Sequence, residues 1–191
     1  MITGLVLRSS LFLLLACAPG LVRAQAWEMD PGTSSLSLIA QLYGAPFEAS
    51  FEAFEADIVF DPNNLAEARV TARINTLSMT AAVPEDAIYV TDAQGADWLS
   101  SDAFPIATFE SQSFTDLGGG SYQVDGLLTI REQSTPVSFD FTLDFNGQSV
   151  AMAADFSLNR FDFGLGALTH PNENTVEASV TMALRLNATR F

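Results

Sequence analysis

The sequence predicts an all-β fold, an eight-stranded antiparallel barrel with a short helical excursion after the third long strand. Three observations carry that expectation. Runs of strict apolar/polar alternation recur along the chain, mostly joined by short turns; one stretch, Val83 to Ser101, does not alternate; and no repeat, linker or low-complexity tract intervenes. Eight strands with one apolar face each suit an up-and-down barrel, whose closure removes exposed edges. A two-sheet sandwich is the alternative on the same counts.

The first residues are set aside before strands are read. Arg8 precedes the apolar run Leu11 to Ala18, and Ala24-Gln25-Ala26 is an A-x-A cleavage site, so residues 1–26 read as a secretory signal peptide and 27–191 as one domain. The run is shorter than the ~20 apolar residues that span a bilayer, and no later segment reaches that length without a charge. The expectation is a mature chain without a transmembrane segment, periplasmic or secreted, beginning at Trp27. The alternative reads Leu14-Leu15-Ala16-Cys17 as a lipoprotein box that acylates Cys17. Cys17 is the sole cysteine, and if it leaves with the leader no disulfide or thiol chemistry remains. Packing and hydrogen bonds must then hold the fold. The net charge is −15, every basic residue is arginine, and losing Arg8 and Arg23 makes the exported chain two units more negative. Such a field repels nucleic acid and anionic headgroups.

Each element follows in order. Trp27 to Asp30 is a short strand ended by the Pro31-Gly32 turn. Leu36, Leu38, Ala40 and Leu42 then alternate with Ser35, Ser37, Ile39 and Gln41, up to a turn at Gly44-Ala45-Pro46. From Phe47 to Phe60 the alternation slips by one between Ala53 and Phe54, the mark of a bulge or strand break that bends a closing barrel. Asp61-Pro62-Asn63-Asn64 turns the chain into a strand from Arg69 to Asn75. Pro84-Glu85-Asp86 reads as a helix first turn, with acids at the positive end of the dipole and Gly95 as its end. A second helical turn is expected at Asp97-Trp98-Leu99-Ser100. Strands resume at Ile106 to Phe114, followed by a hairpin over Tyr122 to Phe145. Its turn, Arg131 to Pro136, holds no Asn-Gly or Asp-Gly, so a longer loop is expected, with Pro136 opening the second arm. Asn146-Gly147 makes a tight hairpin into Val150 to Leu158, and Val176 to Asn187 is the cleanest run of all.

Period-2 geometry assigns the faces. Val124, Leu128 and Ile130 share one face of the hairpin with Phe139, Phe141 and Leu143, which sends Asp125, Thr129, Asp140 and Asp144 to water. The same parity brings Leu36, Leu38, Phe51, Phe109, Phe156 and Val180 inward. Trp98 and Leu99, in the helical excursion, are the lid candidates.

Catalytic residues are not found. With His170 the only histidine, no Cys-His pair or multi-histidine metal site can be assembled, and no G-x-S-x-G, H-E-x-x-H or phosphate loop occurs. Among Asn172, Glu173 and Asn174, His170 reads as a solvated loop residue. The acidic pairs Glu52/Glu55 and Glu85/Asp86 read as surface in a chain this acidic.

W-E-M-D-P-G from Trp27, G-A-P-F-E-A-S-F-E from Gly44, D-A-F-P-I-A-T-F-E-S from Asp102, G-L-L-T-I-R from Gly126 and N-R-F-D-F-G from Asn159, in this order and spacing, resemble the YceI-like family of exported lipid-binding proteins. The resemblance spans essentially all of 27–191. It implies a lipocalin-like eight-stranded barrel with a helix over one end, non-catalytic, holding a long isoprenoid or similar amphiphile for envelope lipid carriage or stress protection. It implies no cofactor beyond a bound lipid or isoprenoid quinone. Family members often carry a histidine near the first strands; Ser34 and Leu42 stand in that neighbourhood, so no headgroup role is carried over. Where members commonly show Gly-Val-Thr after the G-L-L-T-I-R strand, this chain has Glu132-Gln133-Ser134.

Small residues on several inward faces (Ala40, Ala49, Ala72, Ala154, Gly126) favour a hollow barrel over a filled one. A tail burying about 300 Å2 gains about 7 kcal/mol at 25 cal/mol per Å2 before entropic costs. Arg73, Arg131 and Arg160 fall outside the inward set or at strand ends, so a neutral or weakly polar head is expected over a pyrophosphate. The alternatives are a structural or interaction barrel without ligand, and an envelope hydrolase; a homodimer stays among the open assemblies.

Overall fold

The computed structural model describes residues 25–190; Cys17 and nearly all of the predicted leader lie outside them. The alternating runs become β1 (Ala26–Met29), β2 (Ser35–Leu42), β3 (Ala45–Phe51), β4 (Phe54–Val59), β5 (Arg69–Asn75) and β6 (Met79–Ala81). After a helix, α1 (Ala87–Gln94), come β7 (Ile106–Gly118), β8 (Ser121–Ile130), β9 (Gln133–Asn146), β10 (Ser149–Asn159) and β11 (Val176–Arg190). β1 starts one residue before the expected mature terminus, with Ala26 opposite Val59.

Six of these strands are halves of three bent staves. β1 and β2 flank the Pro31-Gly32 turn, β3 and β4 flank Glu52-Ala53, next to the phase slip predicted between Ala53 and Phe54, and β5 and β6 flank a 3-10 turn at Thr76–Ser78. Every pairing is antiparallel, β1 meets both β4 and β11, and β11 also carries β2, so eight staves close on themselves. A sandwich is thereby excluded. The helix lies after the third stave: Pro84–Asp86 supplies a 3-10 first turn, and α1 ends at Gly95, whose N–H reaches Asp92 O.

The turn of the β8–β9 hairpin differs from the expectation. It has two residues, Arg131-Glu132, and Ile130 pairs directly with Gln133. Arg131 takes the left-handed conformation (φ +58°) that Asn or Gly usually supplies; its guanidinium donates to Trp98 O at 3.1 Å, a tertiary contact that composition does not reveal. Pro136 does not open the strand but sits within β9 opposite Leu127. In this register its nitrogen faces β10, and the β9–β10 ladder covers only Thr142–Asn146 against Ser149–Ala153, so no ladder donor is missed.

Side chains fill the two ends of the barrel differently. At the end where β1, β4 and β11 meet, Phe60 makes edge contacts to Phe114, Tyr122 and Phe141 with centroids 5.2–6.1 Å apart. Trp27, buried beside them, donates Nε1–H to Phe60 O at 2.8 Å. At the opposite end Leu36, Phe47, Phe51 and Met79 pack under Val90 of α1 and Leu99. Gly126 shows how one small residue is used. A Cβ there would lie 2.6 Å from both the Phe109 ring and Glu110 O, so the aromatic ring occupies the space and Gly126 adds none to a cavity.

Candidate functional site

Between the two ends lies a cavity of about 380 Å3, within the range of small-molecule sites. All fourteen residues that parity and the lid argument single out stand on its wall. Leu36, Leu38 and Phe51 come from β2 and β3, Phe109 from β7, and Val124, Leu128 and Ile130 from β8. Phe139, Phe141 and Leu143 come from β9, Phe156 from β10 and Val180 from β11. Trp98 and Leu99 reach it from the segment after α1. The outward partners form a separate polar face, where Ser113 donates to Asp125 and Gln123 to Asp140.

Polar groups meet the cavity mainly at the α1 end. Tyr43, Tyr89, Asp92, Arg160 and His170 line it there. None of the five stands among the residues picked by parity, because they sit on turns, the helix and a long loop, where period-2 reasoning does not operate. His170 is not a solvated loop residue: it is half-buried, its ring lies 5.6 Å from that of Trp98, and Nδ1 is 2.9 Å from Thr169 Oγ1.

Arg160, expected outside the inward set or at a strand end, follows the end of β10 directly and yet lines the cavity. It is 2 % exposed and gives five hydrogen bonds, all to main-chain carbonyls: Leu165, His170, Asn172, Val176 and Glu177, at 2.7–3.2 Å. Its guanidinium carbon lies 3.9 Å from the Phe161 ring centroid and 5.4 Å from that of Trp98. Among the described residues the ion pairs are Arg73–Glu55 and Arg185–Asp155, so Arg160 has no carboxylate partner at that range. Burial lowers its pKa, while Glu173 and Asp97 act in the opposite sense. The arginine therefore gathers the loop 164–175 instead of offering a free cation to the cavity. The sequence signal was a basic residue flanked by Leu158, Phe161 and Phe163.

The cap over this end is latched from several sides. Gln94 donates to Thr76 O and Leu77 O at 3.2 Å, and Thr76 N–H to Pro105 O at 2.8 Å. Asp97 accepts from Leu168 N–H, Thr169 N–H and Thr169 Oγ1–H at 3.1, 2.8 and 2.6 Å. Burial pushes the Asp97 carboxyl up, but these hydrogen bonds and the Arg131 charge outweigh it and hold it below the ordinary value. Gly166 lies beneath Trp98 at φ +67°, where a Cβ would be 2.6 Å from the indole; both constraints require glycine.

The α1-capped apolar barrel has counterparts among known proteins. The crystal structure of Burkholderia cenocepacia BcnA superposes with a TM-score of 0.79 at 27 % identity, covering 85 % of this chain and all of that one. A polyisoprenoid binding domain from Saccharophagus degradans implicated in plant cell wall breakdown matches with a TM-score of 0.68 at 11 % identity over 87 % of this chain and 99 % of that one, a likeness of fold. A UPF0312 protein of Vibrio cholerae is 26 % identical over 121 residues, 60 % of this chain and 62 % of that protein, so the match spans about three fifths of each. The YceI-like domain model matches residues 27–188, and with the barrel, cap and cavity in place the chain belongs to the YceI-like family.

Proposed function

We propose that the chain is an exported, non-catalytic carrier holding one isoprenoid or similar long-chain amphiphile, its tail between the β-staves and its head at the α1 end. The observation that carries this reading is the distribution of polarity along the cavity. Aromatic and aliphatic side chains line its length, and Tyr43, Tyr89, Asp92, Arg160 and His170 gather at one end. A tail lying among Leu128, Phe139 and Phe156 gains by leaving water, and the head reaches hydroxyl, imidazole and carboxylate groups. The polyisoprenoid binding domain with the same fold supports the ligand class.

The head is neutral or weakly polar: a quinone, a fatty amide or a fatty acid in its protonated form. Arg160 is engaged by five carbonyls, Asp92 is the carboxylate on the cavity wall, and the chain carries −15 overall. A pyrophosphate would lose its hydration against few free cations. The test is competition, at low salt, between a prenyl pyrophosphate and a neutral quinone of equal tail length. The quinone is expected to bind about tenfold tighter, a difference of about 1.4 kcal/mol. Tighter pyrophosphate binding that is lost in Arg131→Ala or Arg160→Ala overturns the headgroup assignment.

A further inference from the structure

How an amphiphile reaches this cavity is set by where the wall can open. The far end is plugged by Trp27, Phe60, Phe114, Tyr122 and Phe141, and the near end by a cap whose release breaks hydrogen bonds at Gln94, Asp97, Arg131 and Thr76. Around the wall β3 meets β6 only over Ala49–Phe51, a gap covered by Ala82 N–H on Glu48 O and by Tyr89 of α1 against Phe47, and three further seams are incompletely paired among the described residues. β5 meets β7 only over Thr71–Asn75, but the 3-10 turn Leu65–Glu67 lies against the rest of β7, and Val70 N–H bonds Ser111 Oγ at 2.7 Å. The free side of β6 lies under α1.

The third seam differs. β9 and β10 are zipped from their Gly147-Gln148 turn only as far as Thr142–Ala153, which leaves Gln133–Phe141 and Ala154–Asn159 paired on one side each. Carried forward, the register sets Phe139 opposite Phe156, and their rings stack across the seam with centroids 4.2 Å apart and planes 10° from parallel. Both rings, with Val137 and Leu158, line the cavity. The backbone polar groups of Ser138 and Asp140 on one lip, and of Asp155 and Ser157 on the other, face the seam without ladder partners. A single side-chain bond, Thr135 Oγ1–H to Asp162 O at 3.1 Å, ties the seam shut at its far end.

We propose that this half-zipped seam is the ligand portal: the amphiphile enters and leaves sideways between β9 and β10, with the Phe139–Phe156 stack as the gate. The proposal rests on the binding reading above. Parting two stacked rings and one hydroxyl contact breaks no ladder hydrogen bond, whereas lifting the cap breaks at least seven. The lips carry Asp140 and Asp155, the latter paired with Arg185, so a neutral head passes more readily than an anionic one.

The test closes the seam covalently. Ser138→Cys with Ser157→Cys places two thiols on opposite lips, in a chain carrying Cys17→Ser; Thr129→Cys with Ser134→Cys, whose hydroxyls lie 2.8 Å apart across the fully zipped β8–β9 ladder, is the control. The probe is all-trans-retinol, a fluorescent isoprenoid alcohol, mixed by stopped flow with the full chain. Oxidising the seam pair is expected to slow uptake and release by about tenfold or more, reversibly with reductant, while the control pair changes neither. Unchanged rates with the seam disulfide verified by mass overturn the portal. A parent chain that takes up no retinol and no quinone overturns the binding reading itself, and so is distinct from that result. Should the seam disulfide not close, amide exchange decides: Ser138 and Ser157 are expected to exchange faster than Thr142 and Ala153 in the free chain and to slow on loading. Equal protection of all four in the free chain overturns the portal.

Discussion

A single buried guanidinium organises the loop 164–175, against which the cap is latched. Arg160 replaces the missing carboxylate partner with three carbonyls of the loop 164–175 and two at the start of β11, so its removal leaves those acceptors unmatched. Arg160→Met is expected to cost about 3 kcal/mol or more in urea unfolding, with Arg160→Lys recovering part because an ammonium offers three donors in place of five. A loss under about 0.5 kcal/mol for the methionine variant contradicts this account. At this scale the sequence was legible where alternation holds. Val124, Leu128, Phe139 and Phe156 needed only parity, because successive side chains of a strand must part to opposite faces. Arg160, His170 and Tyr43 were not, since their positions depend on contacts between loops distant in the chain. Gly126 was read as a gap, and the Phe109 ring that fills it lies on the neighbouring strand.

The latch between the segment after α1 and the loop 164–175 is an element held largely by one carboxylate. Asp97 sits below its ordinary value of 3.8 in the folded chain, so its contribution is complete above that pH and fades as pH falls through the lower folded value. Asp97→Asn is expected to lose about 1 kcal/mol at neutral pH, given its half-exposed position. The gap between parent and variant should stay constant at higher pH and narrow below 3.8; a gap that is flat through that window in thermal melts as a function of pH contradicts the latch. Among the elements, the bent stave at Ala53-Phe54 and the Pro84 helix start were legible because bulges and helix entries leave marks in the phase. The two-residue Arg131-Glu132 turn left none: what stabilises it is a bond to Trp98, thirty-three residues earlier.

For the whole molecule, eight staves in up-and-down order were countable from the runs, and closure followed from the need to leave no edge. Which seams stay open was not countable, because partial zipping depends on barrel curvature more than on any local pattern. Export remains a sequence-based expectation about residues 1–26, and we expect the envelope species to begin at Trp27 by intact mass. A diacylated species beginning at Cys17 contradicts it and places the barrel at a membrane surface.

Among the described strands β11 comes last and is the most connected, pairing with all of β10 and, on its other edge, with β2 and β1. A chain that has emerged only as far as the loop before Val176 therefore holds three strands with their mates missing and a greasy interior open along one side. Barrel closure is therefore expected late in folding. Closure waits on pairing partners such as Leu36 and Leu184, about three quarters of the chain length apart, and such long-range pairings are slow to form. Until then the chain is a sticky, unclosed sheet, so truncation from Leu186 onward, at the barrel end opposite the cap, should cost yield through aggregation before it costs affinity.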